Sequence, residues 1–161
     1  EKAINNYNVT NQIHAGTVNI YGGNSADFVI RGGVLEKYNG TATNVVITEA
    51  MGIEAIGANA FQNNTTITSI DLASTVKTLA KNAFMGMTNL QYIVLRSETE
   101  VSGNTCWTNK GIFGTPGMGR KLTVYVPSSL YTVDSYGDAQ YGNSGMWSEQ
   151  HFDFKKIEEL N

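Results

Sequence analysis

Ile56-Gly57-Ala58-Asn59-Ala60-Phe61 returns 23 positions later as Leu79-Ala80-Lys81-Asn82-Ala83-Phe84. At the same offset Thr65 returns as Thr88, Ile67 as Leu90, and the pair Ile70 and Leu72 as Ile93 and Leu95. Agreement of this many positions on one spacing marks an internal repeat, which predicts a solenoid of stacked coils. One coil cannot bury its own apolar face, so each supplies the lid for the next.

The unit divides its work along the chain. Thr68-Ser69-Ile70-Asp71-Leu72 alternates polar and apolar residues, the period-2 pattern of a strand with one buried face. Val76 and Leu79 are expected to point inward from the turn beyond it. Asn-Ala-Phe is expected to start a short helical or 3₁₀ turn that drops the phenylalanine into the interior. Gly86 and Asn89 turn the chain, and Leu90 leads into the next strand.

Working outward, the flanking units are less regular. Upstream, Val45-Val46-Ile47 supplies a strand, with two extra residues in the 48–52 turn before Ile53, the counterpart of Val76. Downstream, the coil opening at Ile93-Val94-Leu95 reads as interrupted by an insertion over about 98–111. It resumes at Ile112-Phe113, with Phe113 in the place of Phe61 and Phe84. Leu122-Thr123-Val124-Tyr125-Val126 is the last strand of the array, and Pro127 stops it. Residues 27–38 read as two strands joined by Gly32-Gly33, a hairpin capping one end. After Pro127, Ser128 or Ser129 is placed to cap a short helix through about Tyr136. Trp147, Phe152, Phe154, Ile157 and Leu160 suit a flap over the last coil. The organisation expected is an N-terminal extension or the end of a preceding module over 1–26, followed by a solenoid over 27–161. Within it, 27–44 form the hairpin cap, 45–126 the repeats and 127–161 the C-terminal cap. Residues 1–26 carry alternation at Thr17-Val18-Asn19-Ile20-Tyr21 but no repeat match.

Composition narrows the function classes. The chain has 161 residues with 41% hydrophobic and 10% aromatic content, enough to bury a continuous core. Charged residues are only 16%, and Asn, Thr, Gly and Ser take their place, as in exported β-rich proteins. A net charge of -3 argues against nucleic acid as partner, because phosphate binding needs clustered Lys and Arg. The single cysteine, Cys106, excludes an internal disulfide and a cysteine-rich metal site. No apolar run approaches the roughly 20 residues that span a bilayer, and no signal peptide is read. A first residue Glu1 in place of Met suggests a processed or excised piece.

A period of 23 lies within the 20–29 residues of leucine-rich repeats. The details resemble one group of them. Phe28-Val29-Ile30, Gly33-Val34-Leu35, Tyr38-Asn39-Gly40, Val45-Val46-Ile47 and Ile56-Gly57 followed by Asn59-Ala60-Phe61 resemble the BspA-like leucine-rich repeats of bacterial surface proteins. So does the ending Leu122-Thr123-Val124-Tyr125-Val126-Pro127-Ser128-Ser129-Leu130-Tyr131 with a later Trp147. The likeness runs over about 27–160. It departs at Ala80, which replaces the usual glycine, at Thr48 and Ala73, where proline commonly follows the strand, and in the insertion. The resemblance implies a bacterial, secreted or surface-attached protein, some relatives of which adhere to host or bacterial surfaces. It brings no catalytic residues and no fixed binding motif. The implied function is a non-catalytic binding or adhesion module for protein or glycan partners at a cell surface or matrix. The alternative is a structural spacer or cap without a ligand of its own. No enzyme activity, cofactor or metal is expected.

Other constellations fall short of chemistry. Gly114 and Gly119 have P-loop spacing, but Arg120 and Lys121 occupy the Lys and Ser/Thr places and a strand follows. His14 and His151 lack partners at metal or triad spacing, although Glu149 and Asp153 adjoin His151. Asp134-Ser135-Tyr136-Gly137-Asp138 places oxygens where calcium would want them, yet Tyr136 breaks the ligand pattern. Glu98/Glu100 and Glu158/Glu159 read as surface charges. The sharper expectation concerns the strands. If Ile47, Leu72, Leu95 and Val126 face inward, then Val46, Asp71, Val94 and Tyr125 face outward in a row, with Ser69, Tyr92, Arg96 and Thr123 beside them. Solenoids bind through such continuous faces, and Tyr and Arg are enriched in hot spots. The candidate contact patch is therefore Asp71, Tyr92, Arg96 and Tyr125.

Overall fold

A computed structural model describes residues 25–103 and 121–160 of the chain. The alternation at 17–21, His14, Cys106, Phe113, most of the 98–120 insertion and nearly all of the glycine-rich stretch fall outside the described residues. The described part holds twelve strands: β1 Phe28–Arg31, β2 Val34–Tyr38, β3 Asn44–Ile47, β4 Ala55–Ile56, β5 Ser69–Leu72, β6 Thr78–Leu79, β7 Tyr92–Leu95, β8 Ser102–Gly103, β9 Leu122–Val126, β10 Tyr131–Val133, β11 Ala139–Tyr141 and β12 Phe152–Lys156. Its helical content is confined to three-residue 3₁₀ turns.

Two ladders run from unit to unit. The larger is a parallel sheet in the order β12-β9-β7-β5-β3. Ser69 pairs with Tyr92 and Leu72 with Leu95, so the 23-residue offset of the sequence is also the register of β5 on β7. Asn44 pairs with Ser69, an offset of 25. The two extra residues lengthen a connection that contains the three-residue 3₁₀ turn Glu49–Met51, ended by Gly52 at φ 65, with Met51 in the core. The second ladder is β1-β2-β4-β6-β8, in which the antiparallel β1–β2 hairpin is followed by three two-residue parallel strands. Both turn residues, Gly32 and Gly33, have positive φ (57 and 77), the geometry that favours a Gly-Gly hairpin turn.

The interior is built from the apolar repeat positions. Val45, Ile70, Ile93 and Val124 form one inward row across the larger sheet and Ile47, Leu72 and Leu95 the next, all at most 1% exposed. Each such side chain contributes about 1.5–3 kcal/mol by burial. Val76, Leu79 and Ile53 close the opposite wall. Phe28, Tyr38, Phe61 and Phe84 line up through the core with successive ring centroids 5.0, 5.5 and 5.6 Å apart. Gly57 is needed where the unit meets the hairpin, because a Cβ there would lie 2.8 Å from the Leu35 carbonyl oxygen. Ala80 holds the equivalent place one unit on, its N–H donating to the Ile56 carbonyl at 2.9 Å as that of Gly57 donates to Leu35.

Three expectations need correction. The Asn-Ala-Phe segments, expected to start a short helical or 3₁₀ turn, are runs of hydrogen-bonded turns without a helix, although Phe61 and Phe84 do drop into the core as expected. The N–H groups of Asn59, Phe61 and Asn63 turn away from their own segment and donate to the carbonyls of Lys81, Ala83 and Met85 at 3.2, 2.9 and 2.7 Å. Those of Ala60, Gln62 and Asn64 bond back three residues. Such alternation needs left-handed backbone at Asn59, Asn63 and Asn82 (φ 61, 61 and 59), which asparagine tolerates better than most residues.

The helix expected from Ser128 to Tyr136 is one 3₁₀ turn, Ser128–Leu130, followed by the antiparallel pair β10–β11. Ser128 does not cap it; its hydroxyl donates to Glu158 instead. The segment 152–156, expected as a flap, is β12, a fifth strand parallel to β9. Its Phe152 and Phe154 pack with Trp147 and Tyr141, and all four are at most 3% exposed. The interruption expected in the third unit begins before Ser102: Leu95 pairs with Leu72 at an offset of 23, whereas Ser102 pairs with Thr78 at an offset of 24, with Val101 buried as Val76 is.

Candidate functional site

The larger sheet presents the row Val46, Asp71, Val94, Tyr125 and Lys155 on the side away from the core, in register across β3, β5, β7, β9 and β12. Lys155 was not anticipated; the signal was there in the alternation Phe152-Asp153-Phe154-Lys155. Two residues to either side on β7 and beyond lie Tyr92 and Arg96, on the same face. The four candidate residues form two coupled pairs around Val94. Arg96 Nε and Nη2 donate to Asp71 Oδ1 and Oδ2 at 2.6 and 2.8 Å, a two-pronged ion pair. The Asp71 hydrogen bond holds the Arg96 guanidinium above its ordinary pKa, against partial desolvation. Tyr92 and Tyr125 meet edge to face, with centroids 5.4 Å apart and planes at 83°.

Two residues of the expected outward set are buried. Val94 is 1% exposed, enclosed between Asp71 and Tyr125 on adjacent strands and Tyr92 and Arg96 on its own. Ser69 is 6% exposed, and its hydroxyl donates to Asn44 Oδ1 at 2.7 Å. Period-2 reading assigns a side chain to a face but not its exposure, which depends on the size of the four neighbours. Large, planar neighbours cover a small valine.

The acidic loop 134–138 is the tip of the β10–β11 hairpin. Asp134 Oδ1 accepts the N–H groups of Tyr136 and Asp138, both at 2.9 Å. Those bonds, that from Asp138 foremost, hold the Asp134 carboxyl below its ordinary pKa. The carboxylate therefore organises the turn through the oxygen a calcium ion would use. Among the described residues no three His, Cys, Asp or Glu side chains gather as metal ligands.

Glu98 and Glu100, read as surface charges, are ties to the C-terminal segment. Glu98 accepts the Ser129 hydroxyl at 2.6 Å. Glu100 accepts the N–H groups of Asn143 and Ser144 at 3.0 and 3.2 Å, together with the Ser144 hydroxyl. Next to it, the buried Val101 N–H donates to the Tyr141 hydroxyl oxygen and the Val101 carbonyl accepts the Trp147 indole N–H. Elsewhere, a cleft of about 540 Å³ runs between Gly32-Gly33 and Glu54, Ala55, Thr75 and Thr78. Lys77 at its margin is committed to Ser74 O and Ser97 Oγ at 2.7 and 2.9 Å. Glu149 and Asp153, beside His151, border a polar hollow of about 340 Å³ with Lys121 and Lys155. No helix among the described residues is long and apolar enough to cross a membrane.

Residues 37–114 match the family model of the BspA type leucine rich repeat region, in six copies. No curated protein and no solved structure matches the chain.

Proposed function

Residues 37–114 belong to the BspA-type leucine-rich repeat family, a group of interaction modules often associated with bacterial surfaces, and on that premise we propose a non-catalytic cell-surface adhesion module. It engages protein or glycan partners through the outward face of the larger sheet. In this reading the units are coils of about 23 residues. The β1–β2 hairpin closes one end of the stack, and the β10–β11 hairpin with β12 closes the other.

The observation that carries the reading is the pairing of Asp71 with Arg96 and of Tyr92 with Tyr125 around Val94. Two aromatic rings and a guanidinium held in fixed orientation lose little side-chain freedom on binding, which is how hot spots gain affinity. The test is a binding screen of the folded chain against matrix proteins, polysaccharides and intact cells. Saturable binding is expected, with the Tyr92→Ser/Tyr125→Ser variant weakened by roughly 30-fold or more, the hot-spot scale of about 2 kcal/mol. Binding that survives the double substitution overturns the site. Absence of binding overturns the adhesion reading in favour of a spacer. The spacer has one observation on its side: the patch is already self-satisfied, with Val94 covered and both charges neutralised by each other.

A further inference from the structure

We propose that Asn39 is a site of spontaneous deamidation, kept in the fold because packing of Tyr38 and Asp27 at the base of the hairpin demands glycine at the position after it. Asn39-Gly40 is the sole Asn-Gly dipeptide in the chain. Packing holds Gly40 in place. A methyl group there would run into the Tyr38 hydroxyl and stand 2.7 Å from Asp27 Oδ2, so no other residue fits without displacement. The backbone just before it is pinned, with Tyr38 N–H on Ala60 O at 3.0 Å and Asn39 N–H on Asp27 O at 2.7 Å. Asn39 itself is exposed and outside any strand. Among the described residues the Gly40 N–H and the Asn39 side chain have no hydrogen-bond partner.

The reaction needs those two groups free. The Gly40 nitrogen gives up its proton to solvent base and bonds to the Asn39 side-chain carbonyl carbon, and the carbon–nitrogen bond of the amide breaks to release ammonia. Water then opens the resulting succinimide at either carbonyl, leaving aspartate or isoaspartate. The net change is one water in and one ammonia out, a gain of about 1 Da and one negative charge. The isoaspartyl form also lengthens the main chain by one methylene where the hairpin is tied to Asp27.

The other described asparagines are guarded. The following N–H is bonded after Asn59, Asn63, Asn82, Asn89 and Asn143, the last case being Ser144 on Glu100 at 3.2 Å. Asn44 and Asn64 have their own Oδ1 engaged, with Ser69 and with Thr66 and Ile67. A hydrogen bond on the attacking nitrogen is worth roughly a factor of ten in rate.

The full chain is incubated in mildly alkaline buffer, sampled over weeks, digested and mapped by mass spectrometry, with a parallel sample in guanidinium chloride. In the native sample the gain at Asn39 should outpace that at Asn143 by well over about tenfold. In denaturant Asn143 should accelerate and the ratio shrink, because the guard on Ser144 is gone. The Asn39→Gln variant should lose the acidic species that accumulates first on ion exchange. A native chain that stays unmodified at Asn39 overturns the proposal. So does a ratio unchanged by denaturant, or an early acidic species that survives Asn39→Gln.

Discussion

Replacing Tyr141 by Phe removes one oxygen and should cost stability in a pH-dependent way. The hydroxyl oxygen accepts the Val101 N–H at 2.8 Å, and Val101 is 1% exposed. Phenylalanine keeps the ring against Trp147 and Phe154, at 5.7 and 5.9 Å, but leaves that N–H buried without a partner. An orphaned buried donor costs about 1–3 kcal/mol. Alkali offers an independent check. Burial, aided by the Glu100 carboxylate and opposed by the Val101 hydrogen bond, pushes the Tyr141 hydroxyl from 10.0 up to about 12. Between those two values the unfolded chain has released this proton while the fold retains it. Stability present below pH 10 is therefore lost as pH rises towards 12, by at most about 2.7 kcal/mol at 1.36 kcal/mol per pH unit. The variant has no such proton. Its deficit should narrow through this window and close or reverse near the top, other tyrosines cancelling between the two proteins. Urea unfolding followed by circular dichroism at stepped pH measures both quantities. A variant as stable as the parent at neutral pH, or a deficit that stays constant into alkali, refutes the clamp.

Two further outcomes test the core and the patch. Phe61→Ala should lose about 3–5 kcal/mol, towards the upper end because the ring contacts both Tyr38 and Phe84, and Phe61→Leu should recover part of it. A loss under about 1 kcal/mol in urea unfolding would mean that the aromatic row is not a core element. A double-mutant cycle on Asp71→Ala and Arg96→Ala should give a coupling of only about 0.5–1 kcal/mol that falls with added salt, since the Arg96 side chain is 41% exposed. Salt-independent coupling would contradict that exposure.

The parts of the fold legible in the sequence were those where one residue type has one job. Inward positions such as Ile70, Ile93 and Val124 must be apolar, and their spacing gave both the strands and the β5–β7 register. The segments after Asn59 and Asn82 were misread because helical turns and left-handed asparagine turns share the same small, polar composition. The positive φ of the asparagine separates them in both segments, and after Asn59 so do hydrogen bonds to carbonyls 22 residues away. The C-terminal segment was misread for a different reason. Serine after proline suits a helix start locally, but Ser128 is claimed by Glu158 and Ser129 by Glu98, contacts 30 and 31 residues distant. No local pattern carries such information. At the candidate site, Asp71, Tyr92, Arg96 and Tyr125 followed from period-2 reading. Their pairing, and the burial of Val94 beneath them, depended on side-chain size across strands.

The contrast between the two ladders bears on whether the patch was shaped for contact. On the smaller ladder the row beside the inward Leu35, Ile56 and Leu79 is Val34, Ala55, Thr78 and Ser102, small residues suited to close turns. On the larger ladder the corresponding outward row is Val46, Asp71, Val94, Tyr125 and Lys155, with Tyr92 and Arg96 to either side of Val94. Both ladders solve the same stacking problem, and outward side chains add little to the core, so stacking alone does not require large planar groups on one of them. Covering Val94 would take only a pair of aliphatic neighbours. Instead the cover includes two tyrosines and an arginine, residue types enriched at interaction hot spots. The ion pair has a further effect in that setting. With its charges already matched, Arg96 can lie flat under a partner without leaving a buried unpaired charge, which is the usual obstacle to placing arginine at the centre of an interface.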